Sequence, residues 1–277
     1  MRRALAAAAA VAATLAWACA AHGALADRFP GAAAAYLVIA DGQPLWAAEP
    51  DKPLPSASLT KLMTALVVAE SARGESVVTV SRTAARATGA RMGLAAGARL
   101  SVDDLLAGLL LRSGNDACVA LAEHVAGSEA QFVARMNERA RAWGLSATRY
   151  ANACGFDAPG HHASARDLAA LARRVLAVPG LARLVALEKL QITGADGRRY
   201  ALANTNLLFG VVQGLAGVKT GYTSRAGHCL VAYAKRDGRD VLVVLLRGAD
   251  RWWDAVAMIE QAFDPRLTAA PRAPKGG

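Results

Sequence analysis

A serine and a lysine three residues apart, Ser58-Leu59-Thr60-Lys61, stand at the head of the apolar run Leu62, Met63, Ala65, Leu66, Val67 and Val68. That stretch constrains the fold more than any other. A helix apolar on nearly every face belongs in an interior. The two polar groups at its start then lie one turn apart on one face and are held still. In that setting Ser58 is a candidate nucleophile. Lys61 is its candidate base, provided burial and a neighbouring cation depress its pKa. The plainer alternative is a capping serine beside a surface lysine, and the rest of the chain has to decide between them.

The chain has 277 residues, 54% apolar and 19% charged, with a formal net charge of +10. The length suffices for one large or two small domains with an ample core. A charge of that sign raises nucleic-acid binding. No basic helix, aromatic-interleaved basic patch or zinc spacing supports it, and a solvated basic surface near an anionic cell envelope accounts for the spread arginines. Residues 1–26 read as a secretory signal: Arg2 and Arg3, an apolar stretch too short to span a membrane, then Ala24-Leu25-Ala26 as a small-x-small cleavage site before Asp27. Ala18-Cys19-Ala20 is a second candidate site, with lipidation at Cys19 a poorer fit to the residues before it. Cys118, Cys154 and Cys229 remain in the exported chain. Either one disulfide forms and one thiol is free, or all three are buried thiols, and the reading leans to thiols. No metal-ligand spacing is present and no cofactor is expected.

Two apolar strands around Asp41-Gly42 read as a hairpin over 35–48. A helix is expected over 58–72 and a short strand over 77–80. Ser101, Ser128 and Ser164 each open a capping pattern before a helix. Ser113-Gly114-Asn115 interrupts the apolar run between two helices, with the second resuming at Cys118. Residues 151–162 look like an irregular loop, and the helix opened by Ser164 runs up to Pro179. Strands are expected over 190–193, 200–202 and 217–223. Two more, over 228–235 and 240–246, join at Asp237-Gly238, and a closing helix spans 252–263. Strands, then a helical block, then strands and a helix point to an α+β fold, an antiparallel sheet with helices on its faces. The expected organisation is a signal over 1–26, one domain over 27–265 and a disordered tail over 266–277.

Three polar islands break otherwise apolar segments: Ser58-x-x-Lys61, Ser113-Gly114-Asn115 and Lys219-Thr220-Gly221. In that order, in helix, loop and strand contexts, they resemble the signature of penicillin-binding proteins and serine β-lactamases. Residues 58–68, 91–127, 154–171 and 204–246 further resemble the low-molecular-mass D-alanyl-D-alanine carboxypeptidases. The resemblance implies a β-lactamase/DD-peptidase-like fold: an antiparallel five-stranded sheet flanked by helices, plus an all-helical lobe, with the site between them. It implies Ser58 as nucleophile, Lys61 as base, Ser113 as proton relay, and Asn115 orienting Lys61 and the substrate amide. Lys219 and Thr220 suit a terminal carboxylate, with Arg247 or else Arg251 assisting. Gly221 lets substrate backbone lie along the strand edge, and the N–H groups of Ser58 and Tyr222 form the oxyanion hole.

The activity so implied is removal of the terminal D-alanine from peptidoglycan stem peptides, with β-lactams as covalent inhibitors, in the periplasm or extracytoplasmic envelope. The alternative is an endopeptidase cutting D-alanyl cross-links. No room follows the closing helix for the extra β-domain and amphipathic anchor that many such carboxypeptidases carry, so no stable membrane anchor is expected. A class A β-lactamase needs a loop glutamate to activate water; between Glu138 and Glu188 the only acids are Asp157 and Asp167. An inactive peptidoglycan-binding module is opposed by the intact Ser58, Lys61, Ser113 and Lys219. Among the remaining polar residues, His161 and His162 read as surface histidines, His124 and His228 as core-edge ones, and Asp116 as a loop support.

Overall fold

The computed structural model describes residues 25–264 and 266. The signal expected over 1–26 and the tail expected over 266–277 lie almost wholly outside the described residues. Strands β1 (Ala33–Ala40) and β2 (Gln43–Ala48) form the expected hairpin, and β8 (Gly227–Arg236) and β9 (Arg239–Gly248) form the second. Asp41-Gly42 sits at φ 49° and 82°, Asp237-Gly238 at 49° and 79°. Positive φ at both central residues is what a two-residue turn needs to match the strand twist. With β7 (Leu215–Thr223) these strands make one antiparallel sheet, ordered β2-β1-β9-β8-β7.

Both faces of this sheet are covered, which is why β9 reads as an unbroken apolar run rather than an alternating one. Val241, Val243 and Leu245 join Tyr36, Val38 and Leu230 beneath the closing helix α8 (Arg251–Phe263), against Met258 and Ile259. Leu242, Val244 and Leu246 point the other way, with Leu37, Ile39 and Val231, into the helical lobe. That lobe comprises α1 (Lys61–Ser71), α2 (Arg82–Ala85), α3 (Val102–Leu110), α4 (Asn115–Ala126), α5 (Glu129–Ala142), α6 (Ala165–Ala177) and α7 (Pro179–Val185). Helix α1 is its axis, packing on α3, α4, α5 and α6, and every residue from Lys61 to Val68 is buried. Ser101, Ser128 and Ser164 accept from the amides of Asp104, Gln131 and Asp167. Such caps contribute about 1 kcal/mol each.

The expected α+β architecture, with its five-stranded antiparallel sheet and helical lobe, is the one observed. Several local expectations are corrected. Ser58 is not in the α-helix but in a 3-10 turn, Ala57–Thr60, whose first residue has φ 46°. Pro179 starts a helix instead of merely ending one; its missing N–H is harmless at the first helical position. Helix α4 begins at Asn115 rather than at Cys118. The strands near 190 and 200, β5 (Lys189–Thr193) and β6 (Arg199–Ala203), form a separate ribbon. A second ribbon pairs β3 (Val77–Thr79) with β4 (Arg99–Ser101). The leaning toward three thiols is overturned: Cys118 and Cys154 form a disulfide and Cys229 is a buried free thiol. His161 is buried, not at the surface, while His124 and His228 are exposed, not core-edge.

Candidate active site

The 3-10 turn ends where α1 begins, so Ser58 is presented at the rim of the interior while Lys61 is fully buried behind it. Strand β7 runs beside the turn, and Gly221 is the reason it can. A Cβ there would lie 3.1 Å from Ser58 N, 3.1 Å from Ala57 Cβ and 3.2 Å from Ser56 O. Its missing side chain accommodates the 3-10 turn that carries Ser58. Gly155, which the sequence reading passed over, is tighter still. A Cβ there would fall 1.9 Å from Ala57 O, and its φ is +88°.

Lys61 Nζ has three neighbours: Ser58 Oγ at 3.0 Å, Asn115 Oδ1 at 2.8 Å and the Cys154 carbonyl at 2.6 Å. Asn115 is oriented by its own amide nitrogen, which donates to Thr88 O at 2.6 Å, so its oxygen faces the lysine. Burial, and secondly the Lys219 cation, push the Lys61 pKa well below the ordinary lysine value. A neutral amine has two N–H bonds and one lone pair. Two of its three neighbours are pure acceptors and take both hydrogens. The lone pair is left for the hydroxyl hydrogen of Ser58.

Ser113 precedes α4 at φ 59°, buried, and its hydroxyl makes no hydrogen bond among the described residues. Asp116 performs the expected support: its carboxylate accepts from the amides of Met92, Gly93 and Leu94 at 2.8–3.0 Å, shaping the segment beneath Asn115. Lys219 is buried on β7, and burial together with Arg251 brings its pKa down to about 7. Its ammonium donates to Thr220 O at 3.0 Å, and the Thr220 hydroxyl meets Thr205 Oγ1 at 2.6 Å. Tyr222 is exposed, its ring against His228 with centroids 4.8 Å apart.

The two arginines separate. Arg251 Nη1 donates to Gly221 O at 2.7 Å and stands near enough to Lys219 to depress it. Arg247 is exposed, and its Nη2 donates to Arg225 O at 2.7 Å, in the β7–β8 turn. The structure therefore gathers Ser58, Lys61, Asn115, Lys219, Thr220, Gly221 and Arg251 and leaves Arg247 at the margin.

Two features had no signature in residue type. One is the Cys154 carbonyl, a main-chain group. The other is His161, whose ring is held between the Ala151 amide on Nδ1 (3.1 Å) and Thr60 Oγ1 on Nε2 (2.7 Å). Burial, and next His162, lower its pKa to about 4, so the ring is neutral. Thr60 passes the contact on to Ser56 at 3.1 Å, bracing the turn that carries Ser58. Of the two acids between Glu138 and Glu188, Asp157 accepts from Thr223 Oγ1, and Asp167, in the first turn of α6, accepts from Ala147 N and Thr148 Oγ1. Neither bonds to Ser58 or Lys61. Among the described residues no cluster of metal-ligating side chains exists.

A family model described as D-alanyl-D-alanine carboxypeptidase, peptidase S11, matches residues 24–250. The chain is 34% identical over 228 residues to the D-alanyl-D-alanine carboxypeptidase DacF of Bacillus subtilis, covering 80% of this chain and 58% of that protein. It is 38% identical over 221 residues to DacD of Escherichia coli, covering 76% and 56%. It thus spans between half and two thirds of the length of these relatives. Penicillin binding protein 6B from Escherichia coli superposes with a TM-score of 0.76 at 32% identity, covering 87% of this chain and 81% of that one. The Streptomyces K15 DD-transpeptidase gives 0.79 at 26% identity, covering 84% and 97%.

Proposed function

The chain belongs to the D-alanyl-D-alanine carboxypeptidase family, and on that premise we propose that it removes the terminal D-alanine from peptidoglycan stem peptides through an acyl-enzyme on Ser58. The observation that carries the reading is the environment of Lys61, buried with its pKa pushed well below the ordinary lysine value, its Nζ within reach of two pure acceptors and of Ser58 Oγ. Lys61 takes the Ser58 proton as Oγ attacks the carbonyl of the penultimate D-alanine. The amides of Ser58 and Tyr222 hold the oxyanion. The proton then passes to the leaving amine, with Ser113 as relay, and free D-alanine departs. Water, deprotonated by the same lysine, hydrolyses the ester.

The substrate's terminal carboxylate sits with Lys219 and Thr220, supported by Arg251 in place of Arg247. Its charge favours the ammonium form of Lys219, and that cation in turn disfavours a second one on Lys61. A β-lactam enters as a cyclic amide bearing a similar carboxylate; its leaving amine stays tethered and the ester persists. Among the described residues no carboxylate bonds to the Ser58–Lys61 pair to speed hydrolysis, which supports a penicillin-binding enzyme over a β-lactamase.

We also propose that the protein works after export, in the periplasm or extracytoplasmic envelope. The Cys118–Cys154 disulfide suits an oxidising compartment. Among the described residues no helix is long and apolar enough to cross a membrane. Incubating the purified protein with a D-Ala-D-Ala pentapeptide and with cross-linked dimer, then identifying products by mass, tests the activity. Release of D-alanine from the pentapeptide is expected; cleavage of the dimer alone would make it an endopeptidase.

A further inference from the structure

We propose that the Cys118–Cys154 disulfide is a positioning element for the base, tying together the two acceptors, Asn115 Oδ1 and the Cys154 carbonyl, between which Lys61 Nζ sits. This rests on the reading of Lys61 as the base. Cys118 lies one turn along α4 from Asn115, on the same face. Cys154 lies in the irregular loop that follows α5, and its carbonyl makes the shortest of the three contacts to Lys61, 2.6 Å. One covalent bond therefore joins the helix that carries one acceptor to the loop that carries the other. The same two segments also touch where Cys154 Sγ lies 4.0 Å from the Asn115 carbonyl, a far weaker tie than the covalent bond. Other anchors of the loop reach elsewhere: Asn152 Oδ1 takes the amides of Cys154, Gly155 and Phe156, Thr64 Oγ1 donates to Ala153 O, and Glu129 accepts from Ala153 N. They keep the loop folded. The disulfide sets its distance from Asn115.

That distance matters because the lysine must stay neutral. Every charged group that acts on Lys61 from the elements packed around it is a cation: Lys219 on β7, with Arg251 behind it. The nearby acids are bonded elsewhere: Asp116 to the amides of Met92–Leu94, Asp157 to Thr223, and Glu129 on α5 to the Ala153 amide. Ser58, Thr64 and Asn115 are neutral, and His161 is neutral and bonded to Thr60. If the Cys154 carbonyl drifts, water enters, desolvation lessens and the repulsion from Lys219 is screened. Each change moves the amine back toward an ordinary lysine, which is protonated at neutral pH.

Both sulfurs are buried, so the dithiol is best prepared by expression in a reducing compartment, with the two extra hydrogens verified by intact mass. Glutathione disulfide then oxidises it. The two thiols give up two electrons and two protons as the S–S bond forms, and the oxidant becomes two glutathione thiols. Acylation of Ser58 by a chromogenic cephalosporin is followed across pH for the dithiol, the disulfide and the Cys118→Ala/Cys154→Ala double variant. The dithiol is expected to acylate about tenfold more slowly at pH 7, with its apparent midpoint about one unit higher, and to approach the disulfide form at high pH. Oxidation of the dithiol by glutathione disulfide brings back the disulfide profile. The double variant shows the dithiol profile and ignores the oxidant, so either preparation carries the test if the other does not fold. Superimposable profiles, or rates lower by one factor at every pH with an unmoved midpoint, overturn the proposal, because the bond then only stabilises the fold. Disulfide protein that is not acylated at Ser58 at any pH overturns the base assignment, and this proposal with it.

Discussion

Lys219→Met is expected to stabilise the protein while abolishing its activity. Lys219 is 1% exposed and its folded pKa is about 7, against an ordinary 10.5. A depressed lysine pKa means that the unfolded chain binds more protons than the folded one between those two values, so stability rises with pH across that window. Above 10.5 the amine is neutral in both states and the burden is absent. Below 7 it is charged in both and the burden is complete. At 1.36 kcal/mol per unit, a shift of that size amounts to about 5 kcal/mol at or below pH 7. The variant gives up the hydrogen bond to Thr220 O, about 1 kcal/mol, and fills the space with a flexible apolar chain of similar length. A net gain of about 3–4 kcal/mol at pH 7 corresponds to roughly 10 °C in melting temperature for a domain of this size. Thermal unfolding of both proteins between pH 6 and pH 10 measures it. Lys61, whose pKa Lys219 helps to depress, changes in the same direction, so the difference between the curves reports Lys219 together with that coupling, and it should shrink as pH climbs from 7 toward 10.5. A constant difference, or a variant less stable at every pH, would refute the reasoning.

Gly221→Ala places a Cβ about 3.1 Å from Ser58 N and Ala57 Cβ, so strand or turn must yield by tenths of an ångström; the fold should survive with acylation slowed by roughly tenfold or more, as penicillin-binding rates would show. Asp116→Asn replaces a carboxylate that accepts from four main-chain amides with a group carrying one acceptor oxygen. Urea unfolding should show a loss of about 2–4 kcal/mol, and an unchanged midpoint would remove Asp116 from its supporting role. Ser58→Ala should abolish covalent labelling by penicillin, and label persisting in intact-mass spectra would move the nucleophile elsewhere.

The parts of this molecule legible beforehand are those written in side-chain chemistry. Ser58, Lys61, Ser113, Asn115 and Lys219 stand out because polar groups interrupt apolar runs, and Asp-Gly pairs mark both hairpins because few residues tolerate their backbone angles. The cap serines are read the same way. What stayed hidden depends on tertiary contact or on main chain. The Cys154 carbonyl is one of three hydrogen-bond partners of Lys61, and a carbonyl has no residue signature. His161 looked like a surface residue because histidine usually is one; both ring nitrogens find partners, so its burial costs little. The choice between Arg247 and Arg251 needed the end of β9, which turns the first outward at φ 53° and lets the second reach back under Gly221. The disulfide required knowing that a loop residue returns to the first turn of α4.

The central claim is that Lys61 works as a neutral base rather than as a fixed positive charge. Arginine keeps the charge and the donors but cannot give up its proton in a protein. Stopped-flow acylation by a chromogenic β-lactam, across pH, compares wild type with Lys61→Arg. Wild type should speed up through an apparent pKa well below that of a free lysine, as the burial of Lys61 beside Lys219 requires. Lys61→Arg should fold and acylate about 10²- to 10⁴-fold more slowly, the usual loss of a positioned general base. Acylation of Lys61→Arg at near wild-type rate, or a wild-type profile that rises only near pH 10, would contradict the account.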